Sequence, residues 1–336
     1  MQIFVNYPKL IKNLAKVKKH VFKDTKICAV VKANGYGHGI VSVAQTLQNY
    51  VDYFAVARVD EGVELRQNSI QKPILVLNPY FDEKQAEICA EKDISLTVDN
   101  LCDLSKVAKY GVNIHLKADT GMNRVGTKNI DEFLQIVKKC KQKNLCVQGV
   151  FSHFASAVNL NSKLTISQYK KFCDFADVAK KYYPNCLLHI CNSANTKKSP
   201  AFHFDMVRVG IDLYDGCKTV VGKVVEVKNI FANDGVGYGH DFVAGCDDNI
   251  AVIDCGYGDG LPRCFKGEVI TKYGKTPVIS NVCMDMLTVK NPQNMLKRGD
   301  KVVILGEYFK NVVKADEIAK NCGTISYEIL CNLRER

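Results

Sequence analysis

Eight short apolar runs punctuate the first 210 residues of this 336-residue chain, and most lead straight into a polar or charged residue. They are Ile27 to Val31, Tyr53 to Ala57, Ile74 to Leu77, Ile94 to Val98, Ile114 to Leu116, Val147 to Phe151, Leu187 to Ile190 and Met206 to Val209. Runs this short and this uniformly apolar suit parallel strands buried on both faces. Helical patterns fill many of the intervals: Tyr169, Phe172, Cys173, Ala176 and Ala179 recur at three and four, and Pro184 follows the stop. Eight strands alternating with helices predict a TIM (β/α)8 barrel.

Beyond Tyr214 the texture changes. Strand-like Val220 to Val227, Ile250 to Asp254, Thr276 to Ile279 and Lys301 to Leu305 are separated by Gly and Asp rather than by long helices. The chain is therefore α/β, with a barrel over residues 1–214 and a smaller, mostly β domain over 215–336. No stretch approaches the roughly 18 apolar residues of a membrane span, and the start lacks the order of a signal peptide, so a cytoplasmic protein is expected. Fifteen cysteines are many, but the count is odd and none has CxxC spacing. They read as buried free thiols in a reducing compartment, with neither a disulfide framework nor a metal site. The net charge of +11 includes a cluster at Lys16, Lys18, Lys19 and His20. That cluster lies on a helical pattern whose apolar face is Leu10, Ile11, Leu14 and Val17, so it predicts a solvated face rather than a nucleic-acid site. The excess charge also favours small anionic substrates.

In a barrel of this kind the site forms at the carboxyl ends of the strands. The first run ends in Lys32, inside Ala29-Val30-Val31-Lys32-Ala33-Asn34-Gly35-Tyr36-Gly37-His38-Gly39. A lysine carried to the barrel mouth and followed by a glycine-rich turn suits a Schiff-base nucleophile. The other exits supply Lys117, Asp119 and Arg124, then His153, then Asn192 and Ser193, then Arg208 to Ile211. Ser193 with the Gly210 and Ile211 N–H groups would cradle a phosphate after strands seven and eight. A phosphate there and a lysine at strand one together suggest pyridoxal phosphate. Arg208 lies within strand eight, where a buried arginine needs either an ion pair or a functional contact. In the second case it would keep the cofactor's ring nitrogen unprotonated and restrain side reactions.

Along nearly its whole length the chain resembles alanine racemase. The resemblance rests on Val30 to Gly39, on Lys117-Ala118-Asp119-Thr120-Gly121-Met122-Asn123-Arg124-Val125-Gly126, and on Ser152-His153-Phe154-Ala155. It continues through Cys191-Asn192-Ser193-Ala194, Val207 to Ile211, Gly237-Tyr238-Gly239, Gly256 to Gly260, Cys283-Met284-Asp285 and Ser326-Tyr327-Glu328. It implies a two-base racemisation of L- and D-alanine with pyridoxal 5'-phosphate as cofactor, supplying D-alanine for peptidoglycan. Lys32 would carry the cofactor and act as one base. Tyr238, from the β domain of a second subunit of a homodimer, would be the other. His153 would stand between Tyr238 and Arg208. Tyr36, Ser193, Gly210, Ile211 and Tyr327 would bind the phosphate, with Asn192 also at the cofactor. Arg124 and Met284 would meet the substrate carboxylate, Tyr257 would narrow the entrance, and Lys117 would correspond to a lysine often carboxylated by carbon dioxide. The chain departs from the family pattern at Ser280-Asn281-Val282 and at Met286, positions that bear on the entrance and the dimer edge. Two alternatives share parts of this pattern: a barrel-type pyridoxal-phosphate decarboxylase, and a non-enzymatic carrier of the cofactor on a lone barrel. Arg208 argues against the first and the roughly 120 residues after Asp215 against the second.

Overall fold

The computed structural model describes residues 1–156 and 162–336. They form two compact units: Leu10–Gly35 with Gly39–Leu213, and Met1–Lys9 with Tyr36–His38 and Tyr214–Arg336.

The first unit is the predicted barrel. Its parallel strands are Lys26–Val30, Tyr53–Val56, Ile74–Val76, Ile94–Val98, Ile114–Lys117, Val147–Phe151, Leu187–His189 and Met206–Val209, with the last paired to the first. Strands seven and eight meet through Asp205 N–H to Leu188 O at 3.0 Å and Arg208 N–H to Cys191 O at 3.2 Å, which draws the sheet round on itself. Most of these strands are buried along their whole length, which explains their unbroken apolar runs. Helices cover the outside, and several are started by a side-chain cap. Asn129 accepts from the N–H groups of Asp131 and Glu132, and Ser162 from that of Thr165. The helix Ile130–Gln142 buries Phe133, Ile136, Val137 and Cys140, and Lys163–Tyr182 buries Phe172, Phe175, Ala176 and Ala179. The two stripes interlock where Phe133 and Phe175 meet edge to face at 5.0 Å. Lys16, Lys18, Lys19 and His20 are exposed, as a solvated helix face requires. Seven cysteines, Cys28, Cys89, Cys140, Cys186, Cys191, Cys217 and Cys255, are buried as free thiols.

The second unit is an antiparallel sheet. Its strands run Gly274–Pro277, Glu268–Thr271, Lys301–Tyr308, Lys218–Ile230, Asp248–Ile253 and Leu287–Lys290 in spatial order. The division of the chain differs from a cut at residue 214 in two stretches. Gln2–Val5 pairs antiparallel with the start of Lys218–Ile230, from Gln2 opposite Val221 to Val5 opposite Lys218, so the N-terminus joins this sheet. Tyr36 packs on Tyr214, with ring centroids 4.7 Å apart, and this takes Tyr36–His38 into the same unit.

The barrel interior is not wholly apolar. His115 of strand five meets His189 of strand seven, Nδ1 to Nε2, at 3.0 Å, and Phe151 stacks on His189 at 4.9 Å. Space for His115 comes from Gly149, where any Cβ would lie 2.6 Å from the imidazole Cε1. The His189 Nδ1 lies 2.7 Å from Arg208 Nη1. A guanidinium only donates, so His189 Nδ1 accepts, Nε2 carries the proton, and that proton goes to His115 Nδ1. The His115 Nε2 proton is then left without a partner among the described residues. Burial, followed by Arg208, pulls His115 down to about 3 and His189 well below the ordinary histidine range.

Both rings are thus neutral when folded and titrate near pH 6.5 when unfolded, so the unfolded chain binds more protons below that pH. Their stability contribution is complete above pH 6.5 and is lost as the pH falls below it, by up to about 1.4 kcal/mol per unit for each ring that stays neutral. Urea unfolding midpoints should therefore be flat from pH 8 to 7 and fall steeply below 6. In His115→Gln the fall should be shallower, and an unchanged slope would place the acid lability elsewhere.

Candidate active site

Lys32 follows Val31, whose N–H is held by Ala55 O at 2.9 Å, and opens a turn of opposite hand to an ordinary helix. Ala33, Asn34, Gly35, Tyr36 and Gly37 have φ of 53°, 53°, 60°, 52° and 72°. Each non-glycine residue in that region costs roughly 1–2 kcal/mol, so the turn must be held by its surroundings. Gly35 N–H donates to Val31 O at 2.8 Å and Gly39 N–H to Asn34 O at 3.0 Å, while the Asn34 side chain accepts from Ile40 N–H at 2.9 Å. The largest tether is Glu61. Its Oε1 accepts from Ala33 N–H at 2.6 Å, and its Oε2 accepts from Ala57 N–H at 2.7 Å and Arg58 N–H at 3.1 Å. One carboxylate therefore fixes the residue after Lys32 to the exit of strand two.

Arg208 lies buried in strand eight. Its Nη1 donates to His189 Nδ1 and to His189 O at 3.0 Å. Its Nη2 reaches Ser152 O at 2.7 Å, His153 Nδ1 at 3.2 Å and Ile190 O at 3.3 Å. The guanidinium also lies over the Phe151 ring, 5.2 Å from its centroid. Burial lowers Arg208 to about 10, which leaves it cationic at neutral pH. Its Nε–H has no protein acceptor among the described residues.

Lys117 ends strand five with its Nζ 4.4 Å from the same Phe151 ring. Burial, then Arg208 and Arg124, push it well below the ordinary lysine range against weaker support from Asp119 and Asp99. The following loop is folded by two aspartates. Asp119 Oδ1 accepts from the N–H groups of Gly121, Met122 and Asn123 at 2.9, 2.9 and 3.1 Å, and Asp99 accepts from Gly126 N–H at 3.0 Å. Gly126, at φ 117°, comes so close to the strand exit that a Cβ would lie 2.8 Å from Asp119 N. Arg124 stands exposed on this loop. Lys117, Asp119, Met122, Arg124, Ser152 and His153 line a narrow cleft. His153 is held well below the ordinary histidine range by burial first, then by Arg208, Lys117, Arg124 and Lys32.

At the next exits, Asn192 caps the helix Ser193–Lys198 by accepting from Asn195 N–H at 3.2 Å. Ser193 Oγ accepts from Gly210 N–H at 2.8 Å. The Gly210 N–H is therefore occupied, and the Ser193 hydroxyl proton and the first N–H groups of Ile211–Tyr214 remain as donors for an anion.

Four predicted residues belong to the β unit with Tyr36. Tyr36 and Tyr327 lie 5.9 Å apart, ring to ring. Tyr257 N–H donates to Cys283 O at 3.0 Å and Gly258 N–H to Met284 O at 2.8 Å, so Tyr257 and Met284 sit on paired loops. These loops meet at Gly256, where a Cβ would strike the Met284 carbonyl. Tyr238 is 72% exposed, on a turn anchored by Asp241 accepting from Asn281 N–H at 3.0 Å. Residue patterns alone did not point to Glu61, His115, His189 or Phe151. His115 stands two residues before the end of its strand and His189 at the end of its own, near the strand exits that carry the site.

An amine, a cationic donor with one N–H unspent among the described residues and the exposed guanidinium of Arg124 suit an anionic cofactor whose ring nitrogen accepts a hydrogen bond. Pyridoxal phosphate has that chemistry. Residues 5–217 match the model of the alanine racemase N-terminal domain, and residues 217–336 that of the alanine racemase C-terminal domain. The chain is 33% identical to alanine racemase 2 of Oceanobacillus iheyensis, over 96% of this chain and 88% of that one. It is likewise 33% identical to alanine racemase 2 of Bacillus subtilis, over 99% and 92%. The solved alanine racemase of Clostridium difficile 630 superposes with a TM-score of 0.91 at 32% identity, over 99% and 93% of the two chains. That of Bacillus anthracis, solved with bound L-Ala-P, gives 0.90 at 29% identity, over 98% and 92%. With the two domain models together matching residues 5–336 and relatives covered over most of their length, the chain belongs to the alanine racemase family of pyridoxal-phosphate-dependent enzymes.

Proposed function

We propose that this chain interconverts L- and D-alanine in the cytoplasm, supplying D-alanine for peptidoglycan, with Lys32 and Tyr238 as bases on opposite faces of the substrate. The observation that carries this reading is the gathering of basic side chains round His153, where Arg208 bonds its Nδ1 at 3.2 Å, Lys117 and Arg124 line the same cleft, and Lys32 adds its charge. Such a cluster suits an anionic cofactor and an amino-acid carboxylate together. The residues that would hold the cofactor are Lys32, Tyr36, His153, Asn192, Ser193, Arg208, Gly210, Ile211 and Tyr327. When bound, the cofactor's ring withdraws electrons from the substrate α-carbon and acidifies its proton.

Racemisation requires a proton removed from one face and returned to the other, so two opposed bases are needed. Lys32 takes one face. Tyr238 takes the other, although an unperturbed phenol, with a pKa near 10, is a weak candidate. His153 addresses this weakness. Because Arg208 donates to its Nδ1, neutral His153 keeps its own proton on Nε2 and can donate it to a phenol oxygen, which favours the ionised form. Arg208 stays cationic and, beside the cofactor's ring nitrogen, would keep that nitrogen unprotonated and limit transamination. An acidic residue there would suit a decarboxylase instead. Arg124 and the Met284 N–H orient the substrate carboxylate, and Tyr257 narrows its entrance. Lys117, shifted by burial toward its neutral amine, can attack carbon dioxide, lose a proton and become a carbamate whose negative charge would steady Arg124.

The β domain over 215–336 is proposed to complete the site of a partner's barrel over 1–214 in a homodimer. The exposure of Tyr238, Met284 and Tyr257, at 72%, 54% and 40%, supports this, since large apolar side chains left open in a single chain are suited to a partner surface.

Three outcomes test the reading. Borohydride reduction of the loaded enzyme followed by peptide mass spectrometry should place the pyridoxyl group on Lys32, and a label on another lysine overturns that role. In Tyr238→Phe, exchange of the α-hydrogen of L-alanine with solvent deuterium should fall ~10²-fold more than that of D-alanine. Equal losses for both enantiomers would remove the two-base scheme. Mixing inactive Lys32→Ala and Tyr238→Phe subunits should restore activity, because each heterodimer would hold one site with both residues intact. Subunit exchange verified by native mass spectrometry, without recovery, would mean that each site is built within one chain.

A further inference from the structure

Lys218 is 2% exposed, and no carboxylate pairs with it among the described residues. An ammonium buried without a counter-charge is costly and needs strong local compensation. Its Nζ donates to Leu330 O at 2.7 Å and Leu333 O at 3.1 Å. Both carbonyls lie at the carboxyl end of the helix Ser326–Asn332, where they lack intrahelical partners and where a cation opposes the helix dipole favourably. The same Nζ rests against the turn that follows Lys32. A Cβ on Gly37 would lie 2.7 Å from it, and Gly37 has φ 72°, so only glycine admits the ammonium there without strain.

These contacts join two short pieces that each carry a tyrosine. Tyr36 immediately precedes Gly37, and Tyr327 is the second residue of the capped helix. A helix of seven residues has little stability of its own, so its placement depends on such anchors. We propose that Lys218 is a positioning residue for the cofactor's phosphate, holding Tyr36 and Tyr327 as a pair by tying the Gly37 turn to the helix end. This rests on the reading that the two tyrosines bind that phosphate. Burial lowers Lys218 to about 8, in keeping with an ammonium retained for its donors rather than for an ion pair.

The test compares pyridoxal phosphate with pyridoxal, which lacks the phosphate, titrated spectroscopically into the apo forms of the full-length protein and its variants. Lys218→Met should weaken pyridoxal phosphate about 10-fold while leaving pyridoxal unchanged, since a charge-assisted contact acting through the phosphate tyrosines is lost. Lys218→Arg should recover part of the difference. An equal loss for both ligands, which a merely structural lysine would give, overturns the proposal, as does no loss for either. If Lys218→Met does not fold, Lys218→Gln, which removes the charge but keeps donors, is read by the same ratio. Tyr36→Phe and Tyr327→Phe separate the two levels of the argument. If they also leave the ratio at its wild-type value, the phosphate reading itself fails. If they lower it and the Lys218 variants do not, only the role of Lys218 fails.

Discussion

A group that can only donate hydrogen bonds, buried among groups that can do either, dictates the protonation of its neighbours. Arg208 is such a group. Its contacts with His189 and His153 force both imidazoles to accept through Nδ1, and through His189 they fix His115 as well. Three rings, drawn from strands five and seven and from the exit of strand six, acquire defined tautomers from one guanidinium. The barrel interior and its mouth are therefore joined by one hydrogen-bonded chain from His115 through His189 and Arg208 to His153. Satisfying four of the five donors inside the protein also aims the fifth, which makes Arg208 a fixed instrument rather than a mobile charge.

The lysine turn shows a second way of fixing geometry. Left-handed backbone at Ala33 and Tyr36 is strained, and the strain is sustained by bonds to Val31, Asn34 and Glu61 that hold the turn in place. A relaxed right-handed turn would continue the chain in another direction and carry the residues after Lys32 elsewhere. Rigid placement of the Lys32 amine is consistent with that expense and suits the Schiff-base role proposed for it.

Much of this architecture was legible in the sequence, for reasons visible in particular residues. The eight barrel strands were readable because burial on both faces leaves runs such as Ile27 to Val31 without polar interruption. Lys32, Arg208 and Ser193 were readable because strand exits define a short list of positions. The β unit was harder. Val220 to Val227 and Lys301 to Leu305 are long enough to declare themselves, but Glu268–Thr271, Leu287–Lys290 and Asn311–Val313 span three or four residues, within the noise of any periodicity. Gln2–Val5 pairs with a strand more than two hundred residues away, a relation that no local pattern records. Glu61 lies in the first turn of the helix Val59–Gln67, a common place for an acidic residue, and its contacts with Ala33, Ala57 and Arg58 emerge only when strands one and two lie side by side. His115 and His189 escaped notice for a similar reason, since their meaning depends on Gly149 leaving room and on Arg208 facing them across the barrel.

The buried cysteines bear on how the protein withstands chemistry. Burial raises the thiols of Cys28, Cys89, Cys140, Cys191 and Cys255 to about 12. At neutral pH the thiolate, the form that reacts with oxidants and alkylating agents, is then only ~10⁻⁵ of each population. A chain rich in sulfur thus keeps much of it chemically silent, and the exposed Cys102, Cys146, Cys246 and Cys264 become the natural points of attachment for a probe or a crosslinker.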